Sequence, residues 1–334
     1  LWVDLHYFWG MQDILYYREE FTKYLNSQVT VKEPENLYAP MKYILGLGGK
    51  RLRPVLVLMA TDIFDADYKK ALDAALAIEV FHNFSLVHDD IMDDAPLRRG
   101  KETVHERWDI NTGILSGDAM LINAYQLFEN YEGETFKELA RLFTKTAIQV
   151  CEGQQYDIDF ETRDDVVIED YIKMIEYKTA VLVGASLQMG AIVAGTSTQC
   201  KEAVYEFGRL LGIAFQLQDD YLDAFGDPET FGKQPGGDII ENKKTFLYLK
   251  ALETSGKSEA QQLEHLYTIN PAETSGKIEA VKNLFEHSGA AELTRQEIEK
   301  YTNKAFEVLD KIEIADEKKF PLRQFGEMLM NRTV

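Results

Sequence analysis

Apolar residues recur every three or four positions along most of this chain. Lys69–Val87 places Ala, Leu, Ile, Val and Phe at that interval, as do Phe136–Val150, Tyr171–Ala194 and Ala203–Leu217, and the period predicts helices. No stretch alternates apolar and polar residues long enough to predict a strand. Breakers gather at Gly46–Gly49, Asp94–Gly100, Gly226–Gly237 and Glu253–Lys257. The pattern predicts an all-α chain of about ten or more helices, forming a single domain over residues 11–334. Within it, Ser258–Lys311 is charged and amphipathic, as an outer layer of helices would be. Residues 1–10 are aromatic-rich and match no signal peptide; we expect Met11 to be the native start and residues 1–10 an added segment.

Two acidic clusters of one form stand out against this background. Asp89-Asp90-Ile91-Met92-Asp93 and Asp219-Asp220-Tyr221-Leu222-Asp223 each follow a long apolar run. On a helix the first and last aspartates of each cluster, i and i+4, project from one face. Carboxylates crowded beside a buried face repel one another and are costly to desolvate, so such a group calls for a cation. Oxygen donors without nearby cysteine point to magnesium (Mg2+) rather than zinc or copper. The candidate metal ligands are therefore Asp89, Asp90, Asp93, Asp219, Asp220 and Asp223.

Basic residues accompany both clusters. Pro96 breaks the chain after the first, and Leu97-Arg98-Arg99-Gly100 follows. Upstream, Gly48-Gly49-Lys50-Arg51-Leu52-Arg53-Pro54 sets three cations on a glycine-opened turn, although it lacks the Walker A spacing. Beyond the second cluster lie Lys233 and the pair Lys243-Lys244. Metal-binding carboxylates beside guanidinium forks suit phosphate oxygens. The alternative is that the arginines only neutralise the aspartates.

Composition narrows the field. The 334 residues are 28% charged and 45% hydrophobic, ordinary for a globular enzyme able to bury a substantial core. A formal charge of −20 argues against nucleic acid and anionic membranes as partners. Only Cys151 and Cys200 are present, so no disulfide framework is expected and a reducing, cytoplasmic setting is the simpler reading. No uninterrupted apolar run reaches the roughly 18 residues of a membrane span.

In order along the chain, Gly49-Lys50-Arg51-Leu52-Arg53-Pro54, Ser85-Leu86-Val87-His88-Asp89-Asp90, Leu97-Arg98-Arg99-Gly100, Lys178-Thr179 and Phe215-Gln216-Leu217-Gln218-Asp219-Asp220 resemble the motifs of the all-trans isoprenyl (polyprenyl) diphosphate synthases, the farnesyl and geranylgeranyl type. The resemblance implies a large, mostly antiparallel helical bundle around a deep central cavity, and a homodimer. It implies three magnesium ions per active site, held by Asp89, Asp93 and Asp219 on an allylic diphosphate. Lys50, Arg53, His82 and Arg99 match positions that bind isopentenyl diphosphate. Arg98, Lys178, Thr179, Gln216, Lys233 and Lys243 match positions facing the allylic prenyl diphosphate.

Phe84, with Ser85 beside it, matches the chain-length position. It lies five residues before Asp89, about 7.5 Å along a helix at roughly 1.5 Å per residue. A bulky ring there would act as a floor, favouring C15 or C20 products.

Glu79-Val80-Phe81-His82 and Glu102-Thr103-Val104-His105 have the Glu-x-x-His form of di-iron bundles, but the second follows the Pro96–Gly100 break too closely for a partner helix. A class I terpene cyclase would share the magnesium logic, but by family resemblance it lacks the basic cradle around Lys50 and Arg53. A non-catalytic subunit of a heteromeric synthase would be expected to have lost part of the two clusters. His88 is expected to pack beside the first cluster, and His265 and His287 to lie on the surface.

Overall fold

The computed structural model describes residues 2–227 and 236–331, with side chains from residue 14 onward. These residues group into two compact units, one of residues 1–144, 185–205 and 313–324, the other of residues 145–184, 206–312 and 325–334. Helices dominate both. Among the described residues the only sheet is a two-stranded hairpin.

In the first unit, α1 (Trp2–Gln28), α2 (Glu35–Gly46) and α3 (Leu52–Asp62) precede α4 (Leu72–Met92). The hairpin β1 (Leu97–Arg98) and β2 (Lys101–Glu102), the short α5 (Val104–Arg107) and α6 (Ile110–Gln126) follow. The period-based expectation over Lys69–Val87 corresponds to α4, preceded by a 3-10 turn at Tyr68–Ala71. Unlike a surface helix, α4 is apolar on nearly every face. It buries Leu76, Ile78, Val80, Phe81, Phe84 and Val87, each contributing about 1.5–3 kcal/mol when fully enclosed. Helix α6 packs on it through small residues: a Cβ at Gly117 would lie 2.2 Å from His88 Nε2, and one at Gly113 would lie 2.8 Å from Ile91 Cδ1. That closeness explains why glycines stand in a helix interior, where they otherwise cost about 1 kcal/mol.

Three long helices, α7 (Gly133–Thr162), α9 (Val181–Ala194) and α10 (Thr198–Phe225), supply residues to both units. The second unit also contains α8 (Ile168–Ile175), the short α11 (Gly237–Ile240), α12 (Phe246–Thr254), α13 (Lys257–Leu266), α14 (Ser275–His287) and α15 (Ala290–Asp310). The last helix, α16 (Asp316–Met330), divides its residues between the units. The second core gathers Phe160, Tyr171, Ile175, Leu217, Leu222, Phe246, Leu263 and Phe285. The charged C-terminal stretch buries single stripes, including Val281, Leu284 and Phe285, and leaves His265 and His287 exposed.

The stretch Tyr171–Ala194, expected as one regular helix, contains a π-helical turn at Glu176–Ala180. Two glycines bring neighbouring helices unusually close to it. A Cβ at Gly153 would sit 2.2 Å from the Lys178 backbone nitrogen, and one at Gly212 would sit 2.7 Å from Ala180 Cα. The continuous segment Ile168–Ala194 is long and apolar enough by composition to cross a membrane, and 61% of its most apolar window is buried. A buried core helix passes the same test, because periodicity and hydropathy do not distinguish lipid from protein as the apolar surroundings.

Candidate active site

The first acidic cluster sits where α4 ends. The helix stops at Met92, with Asp93 as its C-cap and Asp94 in the left-handed region (φ 49°). Asp89 is half-buried and Asp93 exposed, whereas Asp90 is only 1% exposed. Asp90 turns to Arg98, whose Nε donates to Oδ1 at 2.7 Å and to Oδ2 at 2.8 Å, with Nη2 2.6 Å from Oδ1. Burial pushes the Asp90 carboxyl up from its ordinary value, and Arg98 partly offsets this. One arginine of the pair thus neutralises one aspartate. Its Nη2 also stands 4.0 Å from Asp89 Oδ2.

The hairpin carries the other arginine. Its two-residue turn, Arg99-Gly100, has φ of 53° and 72°, the double positive φ of a type I′ turn. Arg99 Nη1 donates to the Gly48 carbonyl, and a Cβ at Gly49 (φ 118°) would lie 2.8 Å from the guanidinium carbon. Glycine at 49 suits this backbone conformation, and its missing Cβ leaves room for the guanidinium.

The three cations of the basic turn separate in space. Arg51, with φ 52°, goes inward, where it pairs with buried Glu79 and donates to the Leu45 carbonyl. Glu79 also accepts from Asn83 Nδ2 at 3.1 Å. Lys50 stays exposed. Arg53 Nη1 donates to His82 Nε2 at 3.2 Å, which leaves the imidazole proton on Nδ1. Desolvation, followed by the charges of Arg53, Arg99, Arg98 and Arg51, holds His82 well below its ordinary value of 6.5. Neutral His82, Arg53 and the Arg99 turn form one electropositive group within the first unit. Glu102 lies in β2 and His105 in α5, so this Glu-x-x-His pair shares no helix.

Below the aspartates, the Phe84 ring is buried against Phe81 (centroids 5.5 Å) and His88 (4.8 Å). Ser85 Oγ donates to the His82 carbonyl at 2.8 Å, and His88 Nε2 lies 3.2 Å from the Ile114 carbonyl, away from the cluster. A cavity of about 350 Å³ in the same unit is lined by Met41, Leu45, Leu76, Val80 and Leu127, among others. Val80 and Leu76 lie one and two turns from Phe84, on the side away from the aspartates.

The second cluster ends α10. Asp220 is buried and doubly held: the Tyr171 hydroxyl donates to Oδ2, and Gln216 Nε2 donates to Oδ1 at 2.8 Å. Thr179 Oγ1 in turn donates to Gln216 Oε1 at 3.2 Å. Burial, with Asp238 nearby, pushes the Asp220 carboxyl well above its ordinary value. Asp223 Oδ2 accepts the Asp238 backbone N–H at 2.9 Å, and its carbonyl accepts from Gly236 N at 2.6 Å, fixing the start of α11. Asp219 is half-buried.

Lys178 and Thr179 project from the π-helical turn, a distortion that recurs at functional sites. Lys178 Nζ donates to Asp157 Oδ2 at 2.5 Å, and Lys243 lies 2.8 Å from Glu241 and 4.0 Å from Asp238. Lys178, Thr179, Gln216, Asp220 and Lys243 line one cavity of about 130 Å³ with Asp157 and Tyr171. Neither Asp157 nor Tyr171 belongs to a sequence motif; a lysine in a core helix needing a counter-charge is the available signal for the first. Lys244 instead donates to the Phe160 and Arg163 carbonyls at the end of α7. Lys233 lies outside the described residues.

Comparison with known proteins identifies the family. Residues 34–285 match the family model described as polyprenyl synthetase. A geranylgeranyl diphosphate synthase of Methanosarcina mazei is 38% identical over 78% of this chain and 83% of its own length. A geranylfarnesyl diphosphate synthase of Natronomonas pharaonis is 37% identical over 84% and 85% respectively. A crystal structure of a geranylgeranyl pyrophosphate synthase superposes with a TM-score of 0.92 at 54% identity, covering 96% of this chain and 99% of that one. With both acidic clusters, the basic turn and the arginine hairpin in place within that match, the chain belongs to the polyprenyl synthetase family.

Proposed function

We propose that this chain is a magnesium-dependent prenyltransferase that condenses isopentenyl diphosphate with allylic diphosphates to an all-trans C15–C20 prenyl diphosphate. The observation that carries the reading is the pairing of each acidic cluster, at the end of a buried helix, with cations held close by. Geranylgeranyl synthases among the relatives favour the longer product, and the buried Phe84 ring favours a bounded one. Residues 11–334 act as one synthase domain, cytoplasmic in setting. The stripe Ile110, Ile114 and Ile122 on α6, with Leu115 beside it, is 41–68% exposed and supports a homodimer.

The residues fit magnesium. Asp89 and Asp93 present carboxylate oxygens at i and i+4, and His88, the nearest imidazole in sequence, turns to a carbonyl. Asp219 is the corresponding ligand of the second cluster, while Asp90, Asp220 and Asp223 hold the clusters in shape through protein hydrogen bonds. Bound magnesium supplies neutralisation of the charge that develops on the departing diphosphate.

The chain's own groups do the rest. Lys178 and Lys243 hold the allylic diphosphate as its C–O bond breaks and the electron pair leaves with the diphosphate. Lys50, Arg53, His82 and Arg99 hold isopentenyl diphosphate so that its double bond attacks the allylic cation and forms the new C–C bond. The resulting tertiary cation loses a proton to the released diphosphate, giving the product's double bond. No side-chain nucleophile is required.

The test is product analysis with magnesium, labelled isopentenyl diphosphate and, separately, C5, C10 and C15 allylic diphosphates. Discrete C15 or C20 diphosphates are expected, together with loss of turnover in Asp89→Ala and Asp219→Ala while the fold persists. Cyclic hydrocarbons formed without consuming isopentenyl diphosphate would indicate a terpene cyclase. No product at all would indicate a non-catalytic subunit.

A further inference from the structure

Beside the first acidic cluster, and separate from it in donor chemistry, Asp94, His105 and Glu106 each bring one donor atom to within 4.8 Å of the others. His105 is 8% exposed, and neither ring nitrogen has a hydrogen-bond partner. Thr103 Oγ1, two residues earlier, is likewise buried and unpartnered. Buried polar atoms without partners are rare, and three within one turn of chain point to a missing ligand.

The ring's environment identifies the kind of ligand. His105 Nε2 stands 3.8 Å from Glu106 Oε1, too far for a hydrogen bond. Two metal–ligand bonds of about 2.1 Å span that gap with an ion between the atoms. Asp94 and Glu106 are exposed enough to adjust towards it, and two carboxylates so close in a chain of charge −20 repel each other until a cation is present. A bridging water would satisfy the ring but would leave that repulsion in place.

We propose that Asp94, His105 and Glu106 form a second kind of divalent-cation site, which takes an ion that accepts imidazole nitrogen with carboxylate oxygen, zinc above manganese, and not magnesium. The ion ties the residue after the α4 C-cap to α5 and so closes the loop 94–106, which carries Arg98 and Arg99.

The test is calorimetric titration of the metal-stripped full chain with zinc in excess magnesium, repeated with cobalt to read its visible absorption. One saturable zinc event with a nitrogen-ligated cobalt spectrum is expected. Glu106→Gln and Asp94→Asn, at exposed positions, should weaken zinc about tenfold or more while keeping the melting temperature. His105→Asn should abolish the nitrogen signature. Absence of zinc binding in excess magnesium would overturn the proposal, as would unchanged binding in all three variants, which would place the ion in the aspartate clusters. The titration uses no prenyl substrate, so its failure and the failure of the proposed reaction are read independently.

Discussion

The hydroxyl of Tyr171 donates to the carboxylate of Asp220, 49 positions along the chain, and so joins the start of α8 to the second aspartate cluster. Tyr171 is 1% exposed and Asp220 8%, so the bond is made away from bulk solvent. Tyr171→Phe should leave one oxygen of Asp220 short of a donor, at about 1–3 kcal/mol. The expected result is a lower melting temperature and a higher magnesium requirement for turnover. An unchanged magnesium titration would mean that Gln216 alone holds Asp220 in place.

Gly153→Ala tests the π-helical turn. The new Cβ would fall 2.2 Å from the Lys178 backbone nitrogen, so the turn must move, and overpacking of this kind costs about 1–3 kcal/mol. Activity should drop further than stability, because Lys178 and Thr179 move with the turn. Equal kinetics for variant and parent would count against the need for that distortion.

Phe84→Ala should lengthen the product, since it removes the ring lying between the aspartates and Val80 on α4. The truncation should also cost about 3–5 kcal/mol, as for other buried aromatic side chains. Chromatography of dephosphorylated products provides the check; an unchanged product length would locate the floor elsewhere.

His82 gives a pH dependence of definite sign. Its folded value lies well below 6.5, so below that pH the unfolded chain binds the extra proton more readily. The contribution of neutral His82 to stability is complete above about pH 6.5 and declines as pH falls from there towards the folded value. Thermal melts across this window should show a shallower acid slope for His82→Gln than for the parent. Parallel slopes would remove His82 as the cause.

The helices and the clusters were legible because both are written in local spacing: a period near 3.6 for the first, and i, i+4 acids behind an apolar run for the second. Local spacing does not record which carboxylate of a cluster turns inward. Asp90 and Asp220 are the buried members because of Arg98 and Tyr171, and the latter is distant in sequence. Local spacing likewise does not separate Arg51 from Lys50 and Arg53, although the family resemblance leaves it out of the substrate-binding set; its positive φ and the buried Glu79 on another helix assign it to the interior. The π-helical turn carries no signal in its own residues, and the glycines that let α7 and α10 approach it lie elsewhere in the chain.

The neighbouring arginines of the hairpin differ in what they can offer an incoming anion. Arg98 is matched by the carboxylate of Asp90, so its charge is already largely compensated. Arg99 is oriented by the Gly48 carbonyl, a dipole that fixes the guanidinium without cancelling its charge. An acidic anchor in that place would have had to share its partner with every arriving diphosphate. A backbone anchor requires no such competition, so the guanidinium keeps its charge for first contact even though the molecule as a whole repels anions.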